Sequence, residues 1–357
     1  MKSETLAGLL KAFNRIPWWV ILVGTLLDVV AIMGVLFGRF ALEAAILGVA
    51  VGSVYVLGAS GLSLTYGIKK FANFAHGDMM TVGAYVAFAV SDPIEGFGAN
   101  IFLGVAVAVL SVALLGVFLE LSIFRRLEGR GPVAPLIASV GVALVLQNVV
   151  SLVFSSDPKH LPVSVGPDVS LGFGLSLNPV QDGLTIVVAI VLIVFLHVLL
   201  RYTTLGKAMR ACADDLELSR TSGIDTRNVI LWTWGISGAL AAVAGVLIGI
   251  IVNLTPFVGF FLLLFIFAAV IIGGIGHPYG AMIGGLIVGV IQKLSSVVLT
   301  ALQAAHVLEG GSAYEPAGAF LAMIFVLLVR PEGIMGTHRE RLGARSIALR
   351  VRRATAR

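Results

Sequence analysis

Runs of about twenty apolar residues recur along almost the whole of this chain, and no soluble fold accommodates them. A bilayer's hydrocarbon asks for roughly 20 apolar residues per crossing helix, and residues 18–37, 41–68, 101–124, 133–154, 183–200, 229–252 and 317–329 meet or approach that. Two further regions are interrupted. Residues 71–90 are apolar except around Asn73, His76, Gly77 and Asp78, and residues 257–300 hold two helices' worth of chain broken at the glycine-rich stretch 273–280. Counting the broken regions by their apolar pieces gives about ten helices. The expected fold is all-α, a polytopic transmembrane helical bundle that includes broken or re-entrant segments. Composition closes off the soluble alternative. Only 12% of the 357 residues are charged and the mean hydropathy is +1.03, whereas soluble domains carry about 25% charged residues.

Lysine and arginine then give the bundle a direction, because cytoplasmic loops retain positive charge. With Lys2, Lys11 and Arg15 inside, ten crossings place Lys69, Lys70, Arg125, Arg126, Arg130, the 201–227 segment and the arginine-rich tail on that same side. Only Arg39 and Lys159 fall outside, among loops that carry Asp92, Glu95, Asp157, Asp168, Glu309 and Glu315. Both termini are therefore expected to be cytoplasmic. The domain reading is a tail of residues 1–17, a transmembrane domain of 18–338 with a polar cytoplasmic loop at 201–227, and a basic tail of 339–357 suited to anionic lipid. The formal charge of +5 is a topology signal and not a nucleic-acid footprint. The first apolar segment is expected to be a retained helix, since it is long for a signal sequence and lacks a convincing cleavage site. The lone Cys212 permits no intrachain disulfide, and six dispersed histidines show no ligand spacing, so no metal site is expected.

The longest polar stretch, 201–227, has the composition of one or two short surface helices. Ala208, Met209, Ala211, Cys212, Leu216 and Leu218 offer apolar contact, Gly206 and Gly223 punctuate, and Asp214 and Asp215 favour a helix start. A solvated loop and a partner-docking element both remain open on composition. In the Asn73–Asp78 cluster, Gly77 permits a backbone turn, and Asn73 or Asp78 can cap a short helix. Polar groups at membrane depth belong in protein or facing water, so capping and pathway lining are both open. Gln147 and Asn148 suit hydrogen bonds between helices, and Gly273, Gly274, Gly276, Gly280, Gly284 and Gly285 permit close approach or a broken span. Asp28, His197 and Lys293 sit within apolar stretches and are expected to snorkel or pair.

Several collinear motifs share one resemblance. Residues 205–247, with Leu-Gly-Lys-Ala-Met-Arg-Ala-Cys-Ala-Asp-Asp, Ser-Gly-Ile-Asp-Thr and Gly-Ala-Leu-Ala-Ala-Val-Ala-Gly-Val-Leu, resemble the coupling loop and following helix of branched-chain amino-acid ABC transporter permeases. Tyr66-Gly67, Asn-Phe-Ala-His-Gly-Asp at 73–78 and Gly-Ala-Tyr at 83–85 resemble the first of that family's two permease subunits. Leu-Gln-Asn at 146–148, the glycine-rich 268–276 and 280–285, and Arg-Pro-Glu-Gly at 330–333 fit in the same order, so the resemblance covers about residues 41–337.

The resemblance implies a permease subunit of an importer in a prokaryotic plasma (inner) membrane, not an enzyme. Its implied partners are a second permease subunit, usually a different one in this family, two cytoplasmic ABC ATPases and an external substrate-binding protein. No cofactor is expected on this chain, with ATP and Mg held by the ATPases. Gly206-Lys207-Ala208 agrees, since it lacks the upstream glycine and the Ser or Thr of a phosphate-binding loop. Carried over, the ATPase-coupling residues are Gly206, Arg210, Ala213, Asp214, Asp215, Gly223, Ile224 and Asp225. Tyr66, Asn73, His76, Gly77, Asp78, Gln147 and Asn148 are pathway or gate candidates, and Gly273, Gly274, Gly276 and Gly280 mark a helix break or packing seam. One departure is Ser219, Arg220, Thr221 and Ser222, where many relatives are apolar, which makes the docking face more polar. Alternatives are a urea or short-amide permease and, from other classes, a stand-alone secondary transporter or channel using Asp28 and Lys293, or a scaffold without transport.

Overall fold

The computed structural model describes residues 18–335 apart from 173–174, 308–309 and 311–313. Both terminal tails lie outside the described residues, and with them the expectation that both termini are cytoplasmic. Twelve α-helices follow in order among the described residues: α1 (Trp18–Phe37), α2 (Arg39–Lys69), α3 (Ala75–Ser91), α4 (Ile101–Ser122), α5 (Val133–Phe154), α6 (Leu184–Tyr202), α7 (Thr204–Asp214), α8 (Leu216–Thr221), α9 (Thr226–Ile251), α10 (Val258–Gly273), α11 (Pro278–Ala304) and α12 (Glu315–Val329). Setting aside the polar pair α7 and α8 leaves ten in the apolar body, as the apolar runs required. The predicted break within 257–300 falls between α10 and α11. Among the described residues, six helices are long and apolar enough to cross a membrane. An addition the apolar pattern did not announce is a small antiparallel hairpin, β1 (Val169–Gly172) with β2 (Leu175–Leu177), in the segment before α6.

The core is α2, sheathed by α6, α9, α10 and α11. In lipid, apolar side chains gain little by meeting one another, so small residues that let backbones touch decide which helices pair. On α2 and α11 those residues are Gly48, Gly52, Gly285 and Gly289: a methyl group on any one would run into the backbone of the opposite helix. Gly238 and Gly116 set α9 against α4, and Gly245 sets α9 against Met80 of α3. Trp234 of α9 is fully buried and stacks on Phe124 at 4.9 Å.

Three helices of the apolar body are short. At 17, 16 and 15 residues, α3, α10 and α12 are shorter than the roughly 20 a crossing needs. The first turns of α3 and α10 cross each other, with Gly77 against Gly259 and the Gly259 N–H donating to Thr81 Oγ1 at 2.9 Å. The start of α12 meets the middle of α11, where Glu315 Oε1 accepts from Lys293 Nζ at 2.7 Å and from Gln292 Nε2 at 3.2 Å. Gln292 Oε1 in turn accepts from the Tyr55 hydroxyl at 2.6 Å. The expectation that Lys293 pairs is met by Glu315. Asp28 lies on the exposed face of α1.

Basic residues gather at one end. Lys69, Lys70 and Leu216 line one cavity there, and Arg125, Arg220 and Arg227 line a neighbouring one. At the opposite end Lys159 pairs with Glu95 at 2.6 Å and bridges by its backbone to Leu254.

Candidate coupling and pathway site

At the basic end the polar stretch folds as two short helices turned sharply against each other. Thr203 caps α7 by accepting from the Gly206 N–H at 2.9 Å. Gly206, Met209 and Cys212 form the buried stripe of α7, and a side chain at Gly206 would strike the backbone of Leu199 and Leu200 in α6. Burial pushes the Cys212 thiol above its ordinary pKa, which keeps it an inert packing group. Asp215 is extended (φ −156°) and caps α8, its Oδ1 accepting from the Leu218 N–H at 2.9 Å. The chain then turns at Gly223, whose φ of +85° is a glycine conformation. Asp225 caps α9 through the Asn228 N–H at 3.1 Å.

Of the eight coupling candidates, then, Gly206, Asp215, Gly223 and Asp225 shape the pair. Arg210 and Asp214 are exposed on it, and Ala213 and Ile224 are half-buried. In the polar departure, Ser219 is buried and bonds back to the Asp215 carbonyl. Arg220, Thr221 and Ser222 face outward.

This pair is tied to the bundle. Lys70 sits in the left-handed region (φ +56°) at the end of α2, and its Nζ donates to the Ala213 carbonyl at 2.9 Å, on the last turn of α7. Its neighbour Lys69 donates to Glu120 of α4 at 2.7 Å and to Glu128 at 2.6 Å. Lys69 and Glu120 are buried, with side chains 7% and 2% exposed. A pair held that deep is costly to break from one side, about 3–5 kcal/mol. Glu120 and Glu128 were absent from the candidates drawn from sequence, although an acid near the end of an apolar run is the signal that finds Glu120. Between the end of α2, the 3-10 turn Phe124–Leu127 and α8 lies a cavity of about 410 Å³, lined by Phe71, Phe124, Leu127, Pro132 and Leu216 among others. Gly129 and Gly131, at φ +79° and +76°, flank the start of α5 there.

The pathway candidates do not form one site. Asn73, His76, Gly77 and Asp78 are together and buried at the start of α3. Asn73 precedes the helix, and its Oδ1 accepts from the Ala75 N–H at 3.1 Å. His76 Nε2 meets the Gly58 carbonyl on α2 at 2.9 Å, so it packs into the core. Asp78 is 2% exposed and its Oδ1 has no partner. Tyr66 stands apart at the basic end, its ring beside Gly276. Gln147 is half-buried on α5. Asn148 is exposed, and it bonds to the Leu144 carbonyl of its own helix at 2.7 Å, not to another helix. The glycine break is a packing seam: Gly273 and Gly280 touch backbone to backbone, and Gly274 and Gly276 take φ of +108° and +82°. The segment after α12 closes on it, the Ile334 N–H donating to the Ile272 carbonyl at 2.8 Å.

A helical body of long apolar spans with a polar helix pair pinned to one end defines a polytopic membrane protein. Residues 44–329 match the family model described as branched-chain amino acid transport system / permease component, and the chain belongs to that family. The high-affinity branched-chain amino acid transport system permease protein LivH of Escherichia coli (strain K12) is 35% identical, over 81% of this chain and 93% of that protein. The corresponding permease protein BraD of Pseudomonas aeruginosa is 34% identical, over 81% and 94%. The ribose import permease protein RbsC of Escherichia coli (strain K12) is 26% identical, over 68% and 74%. No solved structure matches the chain.

Proposed function

We propose that this chain forms half of the translocation pathway of an ATP-binding-cassette importer for branched-chain amino acids in a prokaryotic plasma (inner) membrane. The other half is a second permease subunit, and a binding protein delivers cargo from outside. The chain hydrolyses nothing and binds no cofactor; ATP and Mg belong to two cytoplasmic ATPases that dock on α7 and α8. The observation that carries this reading is the fastening of that polar pair to α2 through Lys70. A docking element must pass force to the bundle, and a solvated loop has no need of such an anchor. By the positive-inside rule the basic end is cytoplasmic. Closure of the ATPase pair would move α7 and α8 as rigid bodies and, through the end of α2, switch the bundle between outward-open and inward-open states. A stand-alone ion-coupled carrier is disfavoured because Lys293, one of its two mid-span candidates, is neutralised by Glu315.

The test is reconstitution of the chain with its partner subunits in proteoliposomes. Leucine uptake should require both ATP and the ATPases. Exchanging Gly223 for a bulky residue should leave the complex assembled while separating ATP hydrolysis from uptake. Uptake that persists without the ATPases would refute the reading.

A further inference from the structure

On α3, three polar atoms are buried with no hydrogen-bond partner: His76 Nδ1, Asp78 Oδ1 and the Tyr85 hydroxyl, the last two seven residues apart. Residues seven apart lie on one helical stripe, and this stripe faces α5. At one end of it the Phe74 N–H donates to Ser139 Oγ of α5 at 3.0 Å. At the other, Tyr85 and Phe88 pack on Phe154 of α5 at 5.1 and 6.3 Å. Asp78 lies between. None of the four ion pairs among the described residues includes it. A carboxylate closed into an apolar seam with one oxygen unmatched is poorly solvated, and an entering cation would complete it.

We infer that Asp78 receives the α-ammonium group of the cargo when α5 leaves α3. This rests on the reading of the chain as an amino-acid permease and deepens it. The helix that must move is suited to moving. Among the described residues, the extensive contacts of α5 are with α3 and the 3-10 turn Phe124–Leu127. At its base stand Gly129 and Gly131 in positive-φ conformations, beside the cavity that Leu216 of α8 also lines. Movement of the docking pair therefore reaches the base of α5 directly. A carboxylate in this place selects a cationic amine over neutral urea or a short amide, and so separates the two cargo classes by charge.

The experiment uses the assembled transporter in proteoliposomes, comparing native chain with Asp78→Asn and Asp78→Glu. Asparagine keeps the shape and the helix-start chemistry and removes the charge. Asp78→Asn is expected to lower leucine uptake at least about tenfold, with ATP hydrolysis still stimulated by the leucine-loaded binding protein, and Asp78→Glu to recover part of the uptake. Uptake by Asp78→Asn within about twofold of native overturns the inference. If Asp78→Asn does not assemble, native transporter is treated with dicyclohexylcarbodiimide: slower modification of Asp78 during leucine turnover supports the assignment, and an unchanged rate overturns it. If native transporter carries urea but no amino acid, it is the parent reading that fails.

Discussion

Along α2 and α11 the meeting residues are Gly48, Gly52, Gly285 and Gly289, and two backbones touch. Along α3 and α5 they are Tyr85, Phe88 and Phe154, with Ser139 Oγ accepting from the Phe74 N–H just before α3, and the contact is made mostly by side chains. The first seam excludes any larger group, holds the buried Tyr55–Gln292 bond beside it, and lies inside the core. The second leaves Asp78 and Tyr85 incompletely bonded and joins the core to a helix whose Ile137, Leu144, Leu152 and Val153 are exposed. Backbone contact has one good register, whereas side-chain contact is remade by rotamer changes. The α2–α11 seam therefore reads as a fixed frame and α5 as the part that moves against it.

Mutations break this contrast in graded ways. The largest loss should come from Gly289→Leu, whose side chain would occupy backbone of α2. Forcing it in should cost about 3 kcal/mol or more, read as loss of folded protein from the membrane. Lys69→Met should follow closely, since it strands the buried Glu120 carboxylate and the cost of such a break is about 3–5 kcal/mol. Adding Glu120→Leu should restore much of the thermal stability in detergent, a rescue that a purely steric role for Lys69 does not predict. Gly223→Val should cost about 1–2 kcal/mol through its positive φ while lowering uptake per ATP hydrolysed. The paired change Gly129→Ala with Gly131→Ala should act on rate: stability should fall by about 1 kcal/mol at each position and uptake should slow with cargo affinity retained. Smallest of all should be Gly141→Leu on the open face of α5, where a new side chain meets nothing within 4 Å. Its effect on the stability of this chain should stay within about 0.5 kcal/mol.

The frame was more legible in the sequence than the moving part, for a physical reason. Hydrocarbon thickness forces long apolar runs, so 101–124 and 133–154 announced α4 and α5 almost to the residue. Lysine and arginine announced which loops share an end, and Gly206 and Gly223 marked the turns around α7 and α8. The Asn73–Asp78 interruption was visible as a break, but its division of labour was not. Nothing in residue order says that Asn73 Oδ1 accepts from the Ala75 N–H, that His76 packs on Gly58, or that Asp78 Oδ1 is left without a partner. Such roles depend on which neighbour a helix face meets, and two of the neighbours, α2 and α10, lie distant in sequence or beyond a break. Gln147 and Asn148 stand on a half-open face of α5, where Asn148 bonds within its own helix. The hairpin Val169–Leu177 was illegible because its strands are four and three residues long.

The account turns on α5 moving against a fixed α2–α11 frame when ATP is bound. Spin labels at positions 47 and 152 span α2 and α5, and labels at 47 and 286 span α2 and α11; all three leucines are at least 37% exposed. Pulsed electron resonance on the assembled transporter, with and without ATP, measures both distances. The account predicts a change of at least about 3 Å for 47–152 and less than about 1 Å for 47–286. Equal changes in the two pairs, or none in either, would contradict it.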